Sequence, residues 1–390
     1  MVNYPADDVA SLVISTYTNL KFRPPDGQFT ILAAFVLRDG EDIKVISLGT
    51  GSKCLPAARL PQNGDALHDS HAEVLARRGA IRWLLEEISR SCDMQTRWIW
   101  KGQDGKYALK ADVKLDMYIS TLPCGDASTR YLASSQDAEM AALKDSTPFP
   151  ELPPGTASRG RDNYSLYGVL RTKPGRADSP PTLSMSCSDK IAAWNVLGIQ
   201  GALASRLLRP VYIDRVIVGE VAQPMRQVVL EDCQRALHAR LRSIAGLPAP
   251  FQPNVPVIEF TSVSYSHSRS ALGPSVSNGC NDSLCYIADS TRASEVLING
   301  VRRGISPKHR HNPNFRPVLS KLVLYGLFKE VAAKLDMSLV LKHTYFEAKQ
   351  CDAGYSAARA ILKGSGGPFE GWVTSGREWE EFTSQKPLPS

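Results

Sequence analysis

Residues 67–79 read LHDSHAEVLARRG, and the reading of this stretch decides the fold. From about residue 70 to 89 the apolar positions recur at helical spacing, so the segment predicts an amphipathic helix. Two strand-like runs precede it, FTILAAFVLR (29–38) and IKVISLGTG (43–51). Both are rich in apolar and β-branched residues, with Asp39-Gly40 in the turn between them. The unusual feature is His71-Ala72-Glu73, which crowds an imidazole and a carboxylate into the first turn. Ser70-x-x-Glu73 fits a capping box, in which Glu73 would only secure the helix start. The other reading makes His71 and Glu73 half of a catalytic centre.

Strand-like and helix-like segments alternate outward from there. PADDVASLVISTYTNLK (5–21) predicts an opening helix, and LDMYIS (115–120) a strand followed at once by TLPCGDAST. SCSDKIAAWNVLGIQGALASRLL predicts a helix, VYIDRVIVGE a strand, and residues 222–243 another helix. Strands and turns are expected over 252–289, and helices over 317–335 and 345–363. Residues 146–182 are rich in Pro, Gly and Ser and read as a surface insertion. The pattern is α/β or α+β, with a central mixed sheet flanked by helices. No linker divides the chain, so residues 1–390 are expected to form a single large domain.

The 390 residues are 43% hydrophobic and carry a formal net charge of +7, which favours a polyanionic partner. No stretch is long enough to span a membrane, and no apolar N-terminal run resembles a secretory signal. Eight cysteines are too sparse for a disulfide scaffold. An intracellular protein of the nucleus or cytoplasm is the expectation, with its cysteines buried, catalytic or metal-bound.

Three junctions where a helix begins carry the chemistry: His71-Ala72-Glu73, Pro123-Cys124-Gly125 and Ser186-Cys187-Ser188-Asp189-Lys190. Helix N-termini present free N–H groups and a partial positive charge, which favours thiolate over thiol. His71, Cys124 and Cys187 together make a three-ligand zinc set with a fourth position open to water, the catalytic pattern. Glu73 would then be the proton shuttle beside that water. Cys280-x4-Cys285 with His309-x-His311 has spacings that fit no common zinc motif. The basic stretch RRGISPKHRHNPNFR (302–316) suits an RNA-facing loop.

The runs DSHAEVLARRG, STLPCGDAS and MSCSDKIAAWNVLGIQGALAS resemble the ADAR-type adenosine deaminases that act on RNA. Zinc deaminases of nucleobases commonly place their two cysteines close together; here the third ligand moves to Cys187, the split arrangement of this family. The resemblance runs from TGSKC (50–54) to the C-terminal YFEAKQ and GW segments. It implies a cytidine-deaminase-like fold, one zinc per chain, and adenosine-to-inosine conversion. Relatives that edit duplex RNA carry separate RNA-binding domains. The deaminase-like pattern begins here within the first few dozen residues, so the chain resembles the stand-alone branch that acts on tRNA. The implied target is the adenosine 3′ of the anticodon of alanine tRNA, with no obligate protein partner. Editing of double-stranded RNA and an inactive RNA-binding relative are the alternatives.

The same resemblance implies a buried inositol hexakisphosphate. Its matching contacts are Arg77, Arg78, Lys190, Lys321, Tyr345, Lys349, Tyr355, Arg359 and Trp372, and a buried cluster of cations needs such a polyanion. Read as one helix over 345–363, Lys349 and Arg359 sit about 80° apart and share a broad face. Where relatives place Asn, Arg and Lys, this chain has His68, Ala193 and Ser375. Asp69 and Lys190 match a polar relay from the polyphosphate to the zinc. Ser52, Lys53, Arg171 and Lys173 match segments that approach RNA.

Overall fold

Alternation within one strand sets up a core on both sides of a sheet. In β1 (Leu32–Arg38) of the computed structural model, Ala33, Phe35 and Leu37 join one apolar cluster. Leu32, Ala34 and Val36 join the other. This is the period-two signature of a strand covered on both faces. The structure describes residues 4–134, 152–153, 155–160, 165–173, 179–273, 276, 278–309, 312–337 and 344–384.

The remaining strands of this sheet are β2 (Ile43–Thr50), β3 (Lys114–Ile119), β4 (Arg215–Val218), β5 (Val257–Phe260), β6 (Asp282–Ile287), β7 (Ser294–Ile298) and β8 (Val301–Arg302). Their order across the sheet is β5-β4-β3-β1-β2-β6-β7-β8. β3, β4 and β5 run parallel, and the other neighbours pair antiparallel. The fold is therefore mixed α/β, a central mixed sheet flanked by helices. No helix among the described residues is long and apolar enough to cross a membrane.

Helix α1 (Ala6–Asn19) covers one face with Val9, Val13 and Tyr17. Helix α2 (Ala72–Ser91) lies on the other, very close to β2. A Cβ added at Gly49 would come within 2.7 Å of the Ala72 carbonyl and the Leu75 Cβ, so only glycine permits this approach. Ser47 Oγ donates to the Ala76 carbonyl at 2.7 Å and fixes the contact. The start of α2 is thus pinned above the sheet, and His71 with it.

Several expected elements are shorter or divided. The helix read from Ser186 onward is α3 (Cys187–Leu197) plus a separate turn, Gly201–Ala204. Gly198 and Gly201, at φ 72° and 70°, make the break. The helix at 222–243 contracts to α4 (Arg226–Leu237), and that at 317–335 to α5 (Lys321–Lys334). The single helix expected over 345–363 is two, α6 (Tyr345–Gln350) and α7 (Ala353–Lys363). Asp352 divides them: it is extended, and its carboxylate accepts from Tyr355 N at 2.7 Å as the cap of α7. Lys349 and Arg359 therefore sit on different helices, and the shared-face argument fails for them. The insertion at 146–182 falls partly outside the described residues.

Candidate active site and its buried charge relay

A two-stranded ribbon delivers the first group. Residues Ser52–Cys54 pair antiparallel with Asp69–His71, with Ser52 opposite His71 and Lys53 opposite Ser70. His71 is the last residue of this ribbon and stands at the cap position of α2. It makes no side-chain cap bond, so the helix start is not Ser70 and the capping box does not form. Glu73 is 2% exposed, and its Oε2 has no hydrogen-bond partner. A carboxylate buried this way is costly as mere packing.

The second group comes from the loop after β3. Gly125 has φ 109°, and a Cβ there would lie 2.2 Å from Ser186 Oγ. This glycine lets the Cys124 loop press against the start of α3. The contact is sealed by Ser188 N donating to the Cys124 carbonyl at 3.0 Å and Cys187 N donating to Cys124 Sγ at 3.3 Å. Ser186 caps α3 by accepting from Asp189 N. Asp126, fully buried, accepts from Gly168 N at 3.0 Å and Arg235 Nε at 3.2 Å and anchors the loop from behind.

The electrostatics of these groups are tightly linked. Cys124 interacts electrostatically with Cys187 and with His71. The interaction with Cys187 pulls the Cys124 thiol well down; burial opposes this, and Lys173 and His71 add to it. Burial, then Cys124 itself, pushes Cys187 up. The pair behaves as one thiolate beside one thiol. Glu73 is raised by burial and by the negative charge of Cys124, so it readily holds a proton.

Asp69 ties the site to the interior. Its Oδ1 accepts from His71 N at 3.0 Å and lies 2.9 Å from His71 Nδ1. Its Oδ2 accepts from Lys173 Nζ at 2.8 Å and from Lys190 Nζ. Burial alone would raise this carboxyl, but Lys173, Lys190 and His71 together hold it well below the carboxylate range. Lys173 also donates to Cys187 Sγ at 3.2 Å. Lys190, Asp69, Lys173 and Cys187 thus form an unbroken polar chain.

Among the described residues, one group of potential metal ligands has its atoms within 4.8 Å of one another: Cys54, Asp69 and His71. Cys54 Sγ lies 3.4 Å from His71 Nδ1. Both Asp69 oxygens are already engaged, and two ammonium groups would face any cation placed there. The trio is better suited to orient His71, as carboxylates orient metal-binding imidazoles. His309 packs on the Phe315 ring, while Cys280 and Cys285 are buried; His311 lies outside the described residues.

Lys190 opens onto a cavity of about 310 Å³ whose lining includes Lys349, Arg359, Trp372, Ser375, Arg377 and Glu380. Lys363 stands 3.3 Å over the Trp372 ring. Burial, then Arg359, Arg77, Lys349 and Lys190, drive its ammonium well below the usual lysine range. Lys349 Nζ meets both Glu380 oxygens at 2.7 and 2.6 Å, and Lys321 Nζ reaches Glu380 at 3.3 Å. Arg77 lies over the Trp194 ring and donates to the Ile199 carbonyl; Arg78 donates to the Leu319 carbonyl. Tyr345 stacks on Phe382, and Tyr355 meets the edge of Phe251. Ala193 packs in an apolar cluster with Met185 and Phe369.

Two residues expected to approach RNA turn inward instead. Arg171 is 1% exposed and donates to the Leu166 and Gly160 carbonyls. Lys173 is 3% exposed and serves the relay. Lys53 is exposed beside His71, and Ser52 is part-buried. The sequence reading also missed Lys363, Glu380 and Cys54. Tyr355, Arg359 and Lys363 recur every four residues on α7, a stripe that could have found Lys363. Glu380 carries no local signal.

The sequence pattern of the adenosine-deaminase (editase) domain matches residues 47–375. The tRNA-specific adenosine deaminase 1 of Drosophila melanogaster is 33% identical over 336 residues, 83% of this chain and 81% of the relative. That of Homo sapiens is 26% identical over 97% of this chain and its own full length. The Drosophila double-stranded RNA-specific editase Adar is 32% identical over 64% of this chain but 38% of its own length.

Proposed function

The chain belongs to the adenosine-deaminase (editase) domain family, and from that membership we propose that it converts adenosine to inosine in tRNA, next to the anticodon of alanine tRNA. His71, Cys124 and Cys187 would hold a zinc ion. Two thiols and an imidazole suit that metal, with a fourth position left for water. When bound, zinc supplies a Lewis acid that brings the pKa of a water towards ~7. Asp69 orients His71, and Lys173 steadies Cys187. Glu73 takes the proton of the water whose oxygen bonds to C6 of the flipped-out adenine. It passes that proton to the ring nitrogen, then carries the second proton from the new C6 hydroxyl to the amino group; the C6–N bond breaks, C6 becomes a carbonyl and ammonia leaves.

The observation that carries this reading is Glu73: buried, unpartnered at Oε2, and next to Cys124. Ser52 and Lys53, on the ribbon beside His71, are the proposed RNA contacts. The tRNA substrate is supported by relatives named for it that align over most of their length. An anticodon loop also presents bases whose stacking is already incomplete, so flipping one costs little. The test is incubation with total tRNA followed by sequencing for A-to-G changes. Changes confined to long perfect duplex RNA, the substrate class of the editase relative, would replace the tRNA reading and leave the chemistry intact.

The cationic cavity fits a buried polyphosphate, inositol hexakisphosphate. Lys349, Arg359, Arg377 and Lys190 line it with Glu380 as the acid, and Lys363 stands over the Trp372 ring beside them. Such a cluster is untenable in a core without a polyanion. Acid extracts of the purified protein should contain the compound.

A further inference from the structure

The walls of a second cavity, of about 450 Å³, continue the ribbon that carries His71. Leu55 follows Cys54 directly and its N–H donates to the His68 carbonyl at 2.8 Å; Leu67 N donates to the Gly300 carbonyl at 2.8 Å. Gly300 has φ 75°, and a Cβ there would lie 2.3 Å from the Leu67 carbonyl oxygen, so this wall is close-packed. The lining includes Leu55, Arg59, Pro61, Arg302, Phe315 and Pro317, with Asp65 as its one acid. The aromatic wall is held in place. Asn312 caps the turn Pro313–Phe315 by accepting from Asn314 N at 3.0 Å. The Asn314 carbonyl accepts from Arg302 Nη1 at 3.1 Å and from Arg292 Nη2 at 3.3 Å. His309 meets the Phe315 ring edge-on, 6.2 Å between ring centres. Arg59 ends the turn Ala57–Arg59; it is exposed, and its side chain has no partner among the described residues.

We infer that this cavity takes a second unpaired nucleotide from the same RNA loop as the target adenosine. The inference rests on the RNA reading above. Charge complementarity selects the partner. Two guanidiniums stand against one carboxylate in the lining, and the neighbouring stretch 302–316 contains no acid. A guanidinium meets a phosphate through two parallel N–H donors, and Arg59 has its donors free. The apolar part of the lining suits a base. An aromatic ring flanked by leucine and proline accepts any base, because each has a π-face. Entering a recess requires a base without a pairing partner, which a loop supplies and a perfect duplex does not. Continuity with the ribbon places the cavity on the path of the bound strand, since Lys53 is two residues from Leu55. Phe315 and Arg59 therefore act on RNA affinity and leave the chemical step at Glu73 alone.

The test uses the full chain and folded alanine tRNA with a single abasic site at each anticodon-loop position other than the target, one at a time. Single-turnover deamination followed against protein concentration gives a half-saturating concentration and a maximal rate. At one position, loss of the base should raise the half-saturating concentration about 5- to 150-fold, the range for one base stacked on an aromatic ring. The maximal rate should not change. Phe315→Ala should show the same rise with intact tRNA and no further rise with that abasic tRNA. Arg59→Ala should flatten the log–log salt dependence by about 0.7. No sensitive position in wild type, or losses that add when variant and abasic site are combined, overturns the inference and leaves the deamination reading standing. So does normal tRNA affinity in Phe315→Ala, which would leave the cavity to a peptide or a small ligand. A photoreactive uridine at the sensitive position tests wild type alone, whether or not the variants fold. It should crosslink to residues lining the cavity, and crosslinks only elsewhere also overturn the inference. If wild type deaminates neither tRNA nor duplex RNA, the RNA reading falls, and this inference with it.

Discussion

Replacing Glu73 by Gln separates catalysis from packing with opposite signs. Glu73 is 2% exposed and its Oε2 is unpartnered. A general acid–base group contributes about 10²–10⁴ in rate, which is about 2.7–5.4 kcal/mol of barrier. Deamination of tRNA under single-turnover conditions should fall by at least that factor. Stability should move the other way. An unsatisfied buried polar group costs about 1–3 kcal/mol, more when charged. The neutral amide should therefore leave the melting temperature unchanged or raise it by a few degrees. The pH dependence has a definite sign. Burial and Cys124 raise the folded-state pKa of Glu73 above its ordinary 4.5. Its favourable contribution is complete below that ordinary value and is lost as pH rises through the folded value. The advantage of Glu73→Gln over wild type should grow from about pH 4.5 upward. Melting curves over that range with paired rate measurements decide it. Near-normal turnover, or a melting temperature several degrees lower, would refute the shuttle role and make Glu73 a structural residue.

Other expectations follow from the same geometry. Elemental analysis should find about one zinc per chain, and Cys124→Ser or Cys187→Ser should lose most of it along with activity; full retention in both would remove the zinc assignment. Lys173→Met leaves Cys187 without its ammonium and Asp69 with one fewer. Removing one partner of a buried pair costs about 3–5 kcal/mol, to be seen as a lower denaturant midpoint. Lys349→Ala combined with Arg359→Ala strips Glu380 of its closest partner and should yield little soluble protein; a fully stable double variant would mean that the cluster needs no polyanion. Lys53→Ala should weaken tRNA binding at every sequence and flatten the log–log salt dependence by about 0.7–0.9; an unchanged slope would take Lys53 out of the interface.

The helix starts at Ala72 and Cys187 were legible because each depends on short-range pattern, whereas Cys124, read as a third, lies in the loop before the 3-10 turn Asp126–Ser128. Helical spacing begins directly after His71 and after the capping Ser186, and Cys124 follows the apolar strand run LDMYIS, so all three residues could be placed near element junctions from sequence alone. The central sheet was legible for the same reason: the apolar run from Leu32 to Leu37 feeds both cores at once. The break between α6 and α7 was also written locally, in the capping Asp352, but propensity over 345–363 masked it.

What the tertiary structure alone decided is where the charges go. Whether Glu73 caps a helix or faces Cys124 turned on a one-residue question, since the helix begins at Ala72 and His71 takes the cap. Lys173 sits next to a Pro/Gly-rich stretch and reads as surface, yet it is buried because Asp69, 104 residues earlier, meets its ammonium. Glu380 shows nothing in its own neighbourhood to mark it as the partner of Lys349 and Lys321. Periodicity reports which face of an element is apolar. It does not report which distant opposite charge will make burial of an ion tolerable, because that depends on pairing across the closed fold.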